Sequence, residues 1–149
     1  MKIEKSVDIS KGSPQVFDYL KITRNQDFFS VWNMADPAMN RWSKGEDGRV
    51  GFVYSWESNE KNVGAGEQEI TSIEEGSVIR YALRFFRPMK NEGTSEFRIS
   101  PAGTGSTVTW VFESPSKFPM SLFAPIFKKM LGRDIEKSLQ NLKTVLEKS

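Results

Sequence analysis

The chain contains neither cysteine nor histidine. Without cysteine there is no disulfide framework, no thiolate nucleophile and no thiolate-bound zinc. Without histidine, the commonest general base near neutral pH and the commonest transition-metal ligand are both missing. Ser-His-Asp and Cys-His catalysis are therefore excluded, and any chemistry has to run on Asp, Glu, Lys, Arg, Tyr or bound water. The sequence also lacks a phosphate-binding loop and metal-ligand spacing, so neither a metal nor a cofactor is expected. No hydrophobic run approaches the ~20 residues of a membrane-spanning helix. The opening Met1-Lys2-Ile3-Glu4-Lys5 has no apolar signal-peptide core, which makes a cytoplasmic location the expectation. Charge of one sign is not in excess. With 21 basic and 19 acidic residues and a net charge of +2, the chain has the balance of a soluble protein, and no nucleic-acid partner is expected.

Aromatic surface, by contrast, is plentiful. Among 149 residues there are 11 Phe, 4 Trp and 3 Tyr, wide flat side chains suited to walling a cavity. The length fits one domain spanning 1–149. A chain of that size buries about 70% of the surface exposed when unfolded, enough for a core without covalent staples.

Hydrophobic periodicity divides the chain into elements. Ile3, Val7 and Ile9 share one parity, as in a strand. Ser13-Pro14 opens a helix, with Ser placed to cap it and Pro at its first position. Val16, Phe17 and Leu20 form that helix's apolar stripe. A second short helix is predicted around Asn25–Val31, carrying Phe28 and Phe29, and Asp36-Pro37 stops any continuation. Strands follow at Met39–Ser43, Arg49–Glu57, Val63–Glu74, Ser77–Phe86, Gly93–Ser100 and Gly105–Glu113. The Gly-rich turns between them indicate antiparallel hairpins. Phe52, Tyr54 and Trp56 share a face with Ile79, Tyr81, Leu83 and Phe85, and with Phe97, Val108 and Trp110. Arg80, Arg84 and Arg98 fall on the other face, near Glu67, Glu69 and Glu96, where cross-strand ion pairs are expected. The sheet thus has a dry side and a wet side. From Phe123 the period changes. Phe123, Phe127, Leu131, Ile135, Leu139, Leu142 and Leu146 recur at spacings of four or three. This is a long amphipathic helix, or two segments bent near Gly132.

A dry sheet face needs a cover. A single helix is roughly 10 Å wide and a sheet of about seven strands roughly 30 Å, so the sheet has to curl around the helix. The predicted class is α+β: a seven-stranded curved antiparallel sheet wrapped around a long C-terminal helix, with two short helices after the first strand. A curled sheet leaves space beneath the helix, lined by large aromatics.

Several motifs accompany this order of elements: Ser13-Pro14-Gln15-Val16-Phe17 opening the first helix, then Trp32 and Asp36-Pro37 after the second. Gly64-x-Gly66-x-x-x-Ile70 lies on the middle strand, and Gly103-Thr104-Gly105-Ser106-Thr107-Val108-Thr109-Trp110 feeds the last. Together they resemble the helix-grip superfamily of START-like and SRPBCC proteins, and within it the polyketide cyclase/dehydrase-like proteins. The resemblance covers nearly the whole chain. It implies a helix-grip fold with an apolar cavity, while activities in the superfamily vary widely, so fold does not settle function.

The expected ligand-binding residues are Tyr54, Trp56, Tyr81, Leu83, Phe85, Phe97, Trp110, Phe123 and Phe127, the hydroxyls of Tyr54 and Tyr81 being placed to orient a ligand. Taken singly each of them reads first as an ordinary core residue, and it is as a set, with Tyr and Trp polar atoms that need partners when buried, that they point to a pocket. Trp32, Met34, Trp42 and Met120 are expected at the cavity entrance, in the segment leading into the meander and in the Pro-bounded stretch Phe118–Met130. The expected function is binding, with transport or sequestration, of a small hydrophobic molecule. One alternative is a cofactor-independent cyclase or dehydratase. Gln68 has the inward parity, but a bulge would turn Glu67 or Glu69 inward, and a buried Glu with a raised pKa can abstract a proton. No second acid or base stands out to pair with it. Another alternative is a module acting on a protein partner, like the heat-shock ATPase activators of this fold. Lys128, Lys129 and Arg133 form a short basic cluster that serves either solubility or contact with an acidic membrane surface or partner.

Overall fold

The computed structural model describes residues 1–115 and 124–149. Its strands are β1 (Lys2–Ile9), β2 (Asn40–Lys44), β3 (Val53–Glu57), β4 (Ala65–Glu74), β5 (Val78–Arg87), β6 (Asn91–Ala102) and β7 (Gly105–Glu113). They form a seven-stranded sheet in the order β1-β7-β6-β5-β4-β3-β2, antiparallel at every pairing. Strands β2 to β7 are a meander in which each pairs with the next. Strand β1 then lies along β7 in a register running from Lys2 opposite Glu113 to Ile9 opposite Ser106.

Alternation along these strands separates two chemistries. Ile3, Val7, Ile9, Ile79, Tyr81, Phe97, Ile99, Val108 and Trp110 are buried on the inner face. The outer face carries an ionic ladder. Arg84 holds both Glu67 and Glu69 at 2.7 Å. Arg80 reaches Glu74 at 2.6 Å and Glu96 at 3.7 Å. Arg98 holds Glu96 at 2.5 Å and Glu4 at 3.7 Å. Solvent-exposed pairs of this kind contribute about 0–1 kcal/mol each. The ladder therefore marks the wet side and fixes register more than it stabilises the fold.

The helices are α1 (Ser13–Leu20), a 3-10 segment (Thr23–Phe28), α2 (Val31–Met34) and α3 (Ala124–Glu147). Gly12, not Ser13, occupies the cap position of α1, and Ser13 is already helical. The second helix predicted around Asn25–Val31 is instead split between the 3-10 segment and the single turn of α2. The reason is visible in the burial pattern: Thr23, Gln26 and Phe29 face inward, a spacing of three that suits 3-10 geometry. The Asp47 carboxylate accepts the first backbone N–H groups of this segment, from Thr23 at 2.7 Å and Arg24 at 3.1 Å.

Helix α3 lays Ile135, Leu139, Leu142 and Leu146, all buried, against β1 and β7. It runs unbroken through Gly132. The glycine there makes room for Lys5 of β1, whose Cε would lie 3.3 Å from an added methyl and whose amine ends 2.9 Å from Glu136. The short helices cover the centre of the sheet and are tied to α3. The Val31 N–H donates to Ser138 Oγ at 3.0 Å, and Asn141 Nδ2 donates to the Phe29 carbonyl at 3.1 Å. Among the described residues no helix is long and apolar enough to cross a membrane.

Candidate ligand site

Beneath the short helices the inner face is filled by aromatic rings. Phe97 and Trp110 lie 4.5 Å apart between centroids. Phe29 stands edge-on to both, at 6.1 and 6.0 Å. Tyr81 meets Phe97 at 6.2 Å and Trp32 meets Trp110 at 5.9 Å. Tyr81, Phe97 and Trp110 are thus closely packed, with the fully buried Phe29 seated among them.

Polar groups from the 3-10 segment enter the same layer. Gln26 and Gln68 exchange side-chain hydrogen bonds in both directions, at 3.3 and 3.1 Å. Strand β4 does bulge, but between Ala65 and Gly66 and between Ile70 and Ser72, so Gln68 keeps its inward parity. Glu67 and Glu69 face outward onto Arg84, and neither supplies the inward base considered for a cyclase. An inward carboxylate at the β2–β3 edge of the sheet is Asp27. Its Oδ2 accepts from the Tyr54 hydroxyl at 2.6 Å and its Oδ1 from Asn33 Nδ2 at 2.9 Å, with Arg41 Nε 3.8 Å away. Two hydrogen bonds and a guanidinium engage this carboxylate, which ties the 3-10 segment to α2, β2 and β3. Burial, then the bond to Asp27, pushes the Tyr54 phenol well above its ordinary range. The Arg24 guanidinium lies over the rings of Phe52 and Tyr54 at 5.6 and 5.9 Å. Tyr81 is 1% exposed. Its hydroxyl and that of Thr23 have no hydrogen-bond partner among the described residues. Burial pushes the Tyr81 phenol up strongly, opposed by the side chains of Thr23 and Gln26.

Toward the end of the sheet where β7 finishes, the packing opens. Trp56, Leu83, Phe85 and Phe112 are half-buried on the inner face. These large side chains stand on β3, β5 and β7, while the strands between carry glycine: Gly66 on β4 is paired with Trp56 and Phe85, and Gly93 on β6 with Leu83. A methyl on Gly66 would stand 2.7 and 2.8 Å from the Trp56 ring and 2.5 Å from the Arg84 carbonyl. The indole therefore lies across β4 and meets Phe85 edge-on at 5.9 Å. On β6 the Phe112 ring tip would be 3.6 Å from a methyl on Gly93. Tall and bare strands alternate to make an apolar trough. At the same end of the sheet an open hollow of about 540 Å³ is lined by Met1, Lys2, Glu92, Gly93, Glu113 and Ser114 among others, and none of Trp56, Leu83, Phe85 or Phe112 borders it.

The residues singled out from the sequence therefore separate. Trp56, Leu83 and Phe85 are in the trough, and Tyr54, Tyr81, Phe97 and Trp110 lie in the packed layer behind it. Of the entrance residues, Trp32 leans on Trp110 and Met34 is exposed on α2. Trp42 pairs with Ser55, alternates with the inward Arg41 and Ser43, and so stands on the outer face, away from the trough. Met120 and Phe123 lie outside the described residues, as does the side chain of Phe127. Phe112, Gly93, Gln26 and Asp27 were not picked out as site residues. The three-residue spacing of Thr23, Gln26 and Phe29 was the signal for the inward side of the 3-10 segment.

The model of a family described as polyketide cyclase/dehydrase and lipid transport matches residues 1–147. The chain belongs to that family. No curated protein matches it by sequence. Solved structures agree with the family in fold. A protein from Arthrobacter aurescens is similar with a TM-score of 0.70 at 11% identity, over 99% of this chain and 87% of that one. A protein from Chromobacterium violaceum gives 0.67 at 15% identity, over 98% and 97%. The protein Ara h 8.0201 gives 0.62 at 14%, over 100% and 99%. The likeness is one of fold, the helix-grip-like architecture of a seven-stranded antiparallel sheet with short helices after its first strand and a long C-terminal helix packed on it.

Proposed function

We propose that the protein binds a small hydrophobic molecule in the trough between the sheet and its helices, and carries or sequesters it, with 1–149 acting as one unit. The observation that carries this reading is the alternation of Trp56, Leu83, Phe85 and Phe112 with Gly66 and Gly93. Apolar side chains left half-open beside bare backbone form a concave surface that water solvates poorly, and an apolar ligand there gains about 25 cal/mol per Å² of surface removed from water. Family membership supports a hydrophobic ligand. Trp56, Leu83, Phe85 and Phe112 would touch it, and the packed layer of Tyr54, Tyr81, Phe97 and Trp110 would back them. Catalysis of the cyclase or dehydratase kind has less support, since Glu67 and Glu69 face away and Asp27 is occupied by its donors.

Two measurements test this. Organic extraction of the purified protein followed by mass spectrometry should release an apolar small molecule. Titration of the stripped protein with long-chain fatty acids and with an anilinonaphthalene dye should shift tryptophan emission saturably, because Trp56 lines the trough. Empty extracts together with an unresponsive emission spectrum would overturn the reading and favour a protein-interaction module.

A further inference from the structure

Charge is evenly mixed along the chain except in one stretch. Residues 114–133 contain Lys117, Lys128, Lys129 and Arg133 and no acidic residue, leaving the rest of the chain with a net charge of −2. Eight of these 20 residues are Phe, Met, Leu or Ile, a mixture of cations and oily side chains with nothing to neutralise the cations locally. In α3 the two kinds of residue share a face. Ile126 and Met130, one turn apart, are 62% and 56% exposed. They lie opposite the stripe of Ile135 and Leu139 that meets the sheet, nine residues being two and a half turns. Lys129 and Arg133 each follow one of them by three residues and so lie alongside. Lys128, Lys129 and Arg133 are exposed. Among the described residues the ion pairs of this helix are Lys5 with Glu136 and Lys143 with Glu147, so these three cations are unpaired. Leu131, on the sheet side of the same turns, packs against the hydrophobic core.

Apolar tips flanked by unpaired cations match one surface chemistry, a hydrocarbon layer beneath fixed negative charge. A second copy of the chain would set like charges against each other across a two-fold axis. A nucleic-acid backbone would satisfy the cations but leave Ile126 and Met130 in water. We infer that this face of α3 docks on an anionic phospholipid bilayer, with Ile126 and Met130 entering the headgroup region and Lys129 and Arg133 meeting lipid phosphates. The inference stands on the helix surface and holds whether or not the trough carries a ligand.

Flotation of the full chain with vesicles provides the test. The protein should float with phosphatidylcholine vesicles containing phosphatidylglycerol, stay behind with phosphatidylcholine alone, and be released as salt is raised. Each cation near the surface is worth about fivefold in partitioning, so Lys129→Glu with Arg133→Glu should lower it by more than about tenfold. Ile126→Gln with Met130→Gln should lower it too while leaving the thermal transition in place, because both positions are solvent-facing. Lys44→Glu, on edge strand β2, should change nothing. Three results would overturn the inference: no flotation with anionic vesicles, flotation indifferent to both α3 variants, or a loss with Lys44→Glu equal to theirs. A dimer in solution that the Ile126/Met130 variant abolishes, without vesicle binding, would assign the face to a second copy instead. Tryptophan titration of the same variants in the absence of vesicles separates this outcome from failure of the ligand site.

Discussion

Gly66 is where a single methyl group would do most to the trough. Its backbone is in an ordinary strand conformation, so Gly66→Ala costs nothing in torsion, yet the new Cβ would meet the Trp56 ring at 2.7 Å and the Arg84 carbonyl at 2.5 Å. The indole can swing away, whereas the carbonyl belongs to the paired strand. We expect a loss of about 1–3 kcal/mol in urea denaturation, the scale of overpacking, with tryptophan emission moved toward that of a solvated indole. An unchanged midpoint and spectrum would mean that the ring does not lie across β4. The tyrosines give a second test at this scale. Tyr19, Tyr54 and Tyr81, the 3 tyrosines of the chain, all have their phenols pushed above the ordinary value, by burial first and in Tyr54 also by Asp27. In the unfolded chain they ionise near ~10. Above that pH the folded state holds more protons than the unfolded one, so stability is intact below ~10 and falls as pH rises beyond it. An absorbance titration should show no phenolate around ~10 while the circular dichroism stays native, and then phenolate and unfolding together. Phenolate in a folded molecule at that pH would contradict the burial of these rings.

Helix α3 both covers the sheet and anchors the elements beside it. Removing residues from Gly132 onward would strip Ile135, Leu139, Leu142 and Leu146 from the core, each worth about 1.5–3 kcal/mol when buried. It would also remove Ser138 and Asn141, which hold α2 and the end of the 3-10 segment. Against a net stability of about 5–15 kcal/mol, the shortened chain should show no cooperative thermal transition; a transition near that of the full chain would show that the core lies elsewhere. This helix and the strands were legible from the sequence because a long apolar stripe and strict alternation report burial directly. The 3-10 segment was not. Its inward residues Thr23 and Gln26 are polar, so a search for apolar periodicity settles on Phe28 and Phe29, and of these Phe28 is exposed. The strand ends shifted by a few residues for a related reason: Arg49 to Phe52 turns before it pairs, which alternation does not register.

For the molecule as a whole, the question is whether the trough has room to spare. Leu83→Phe adds volume beside Gly93 while keeping the site apolar. In the half-open trough it should cost less than about 1 kcal/mol, against ~1–3 kcal/mol in a close-packed core, yet weaken binding of the fatty acid probe. Full loss of stability with no change in ligand response would place Leu83 in the core proper. Parity alone put Trp56, Leu83 and Phe85 on the dry face together with Tyr81 and Phe97. It could not show which of them stay half-open, because that depends on how far the short helices and α3 reach over the sheet, and the strands' own residues do not encode it. Trp42 illustrates the same limit, since its side was fixed by pairing with Ser55 and not by its hydrophobicity. The amide pair of Gln26 and Gln68 has a further consequence. Two neutral groups that each give and take a hydrogen bond respond neither to added salt nor to acid, whereas the cations of α3 are screened within a few ångströms at high ionic strength. Adhesion to a charged surface and the internal geometry of the ligand layer are thus governed by different solution variables, and a rise in salt should detach the protein from vesicles with its cargo still in place.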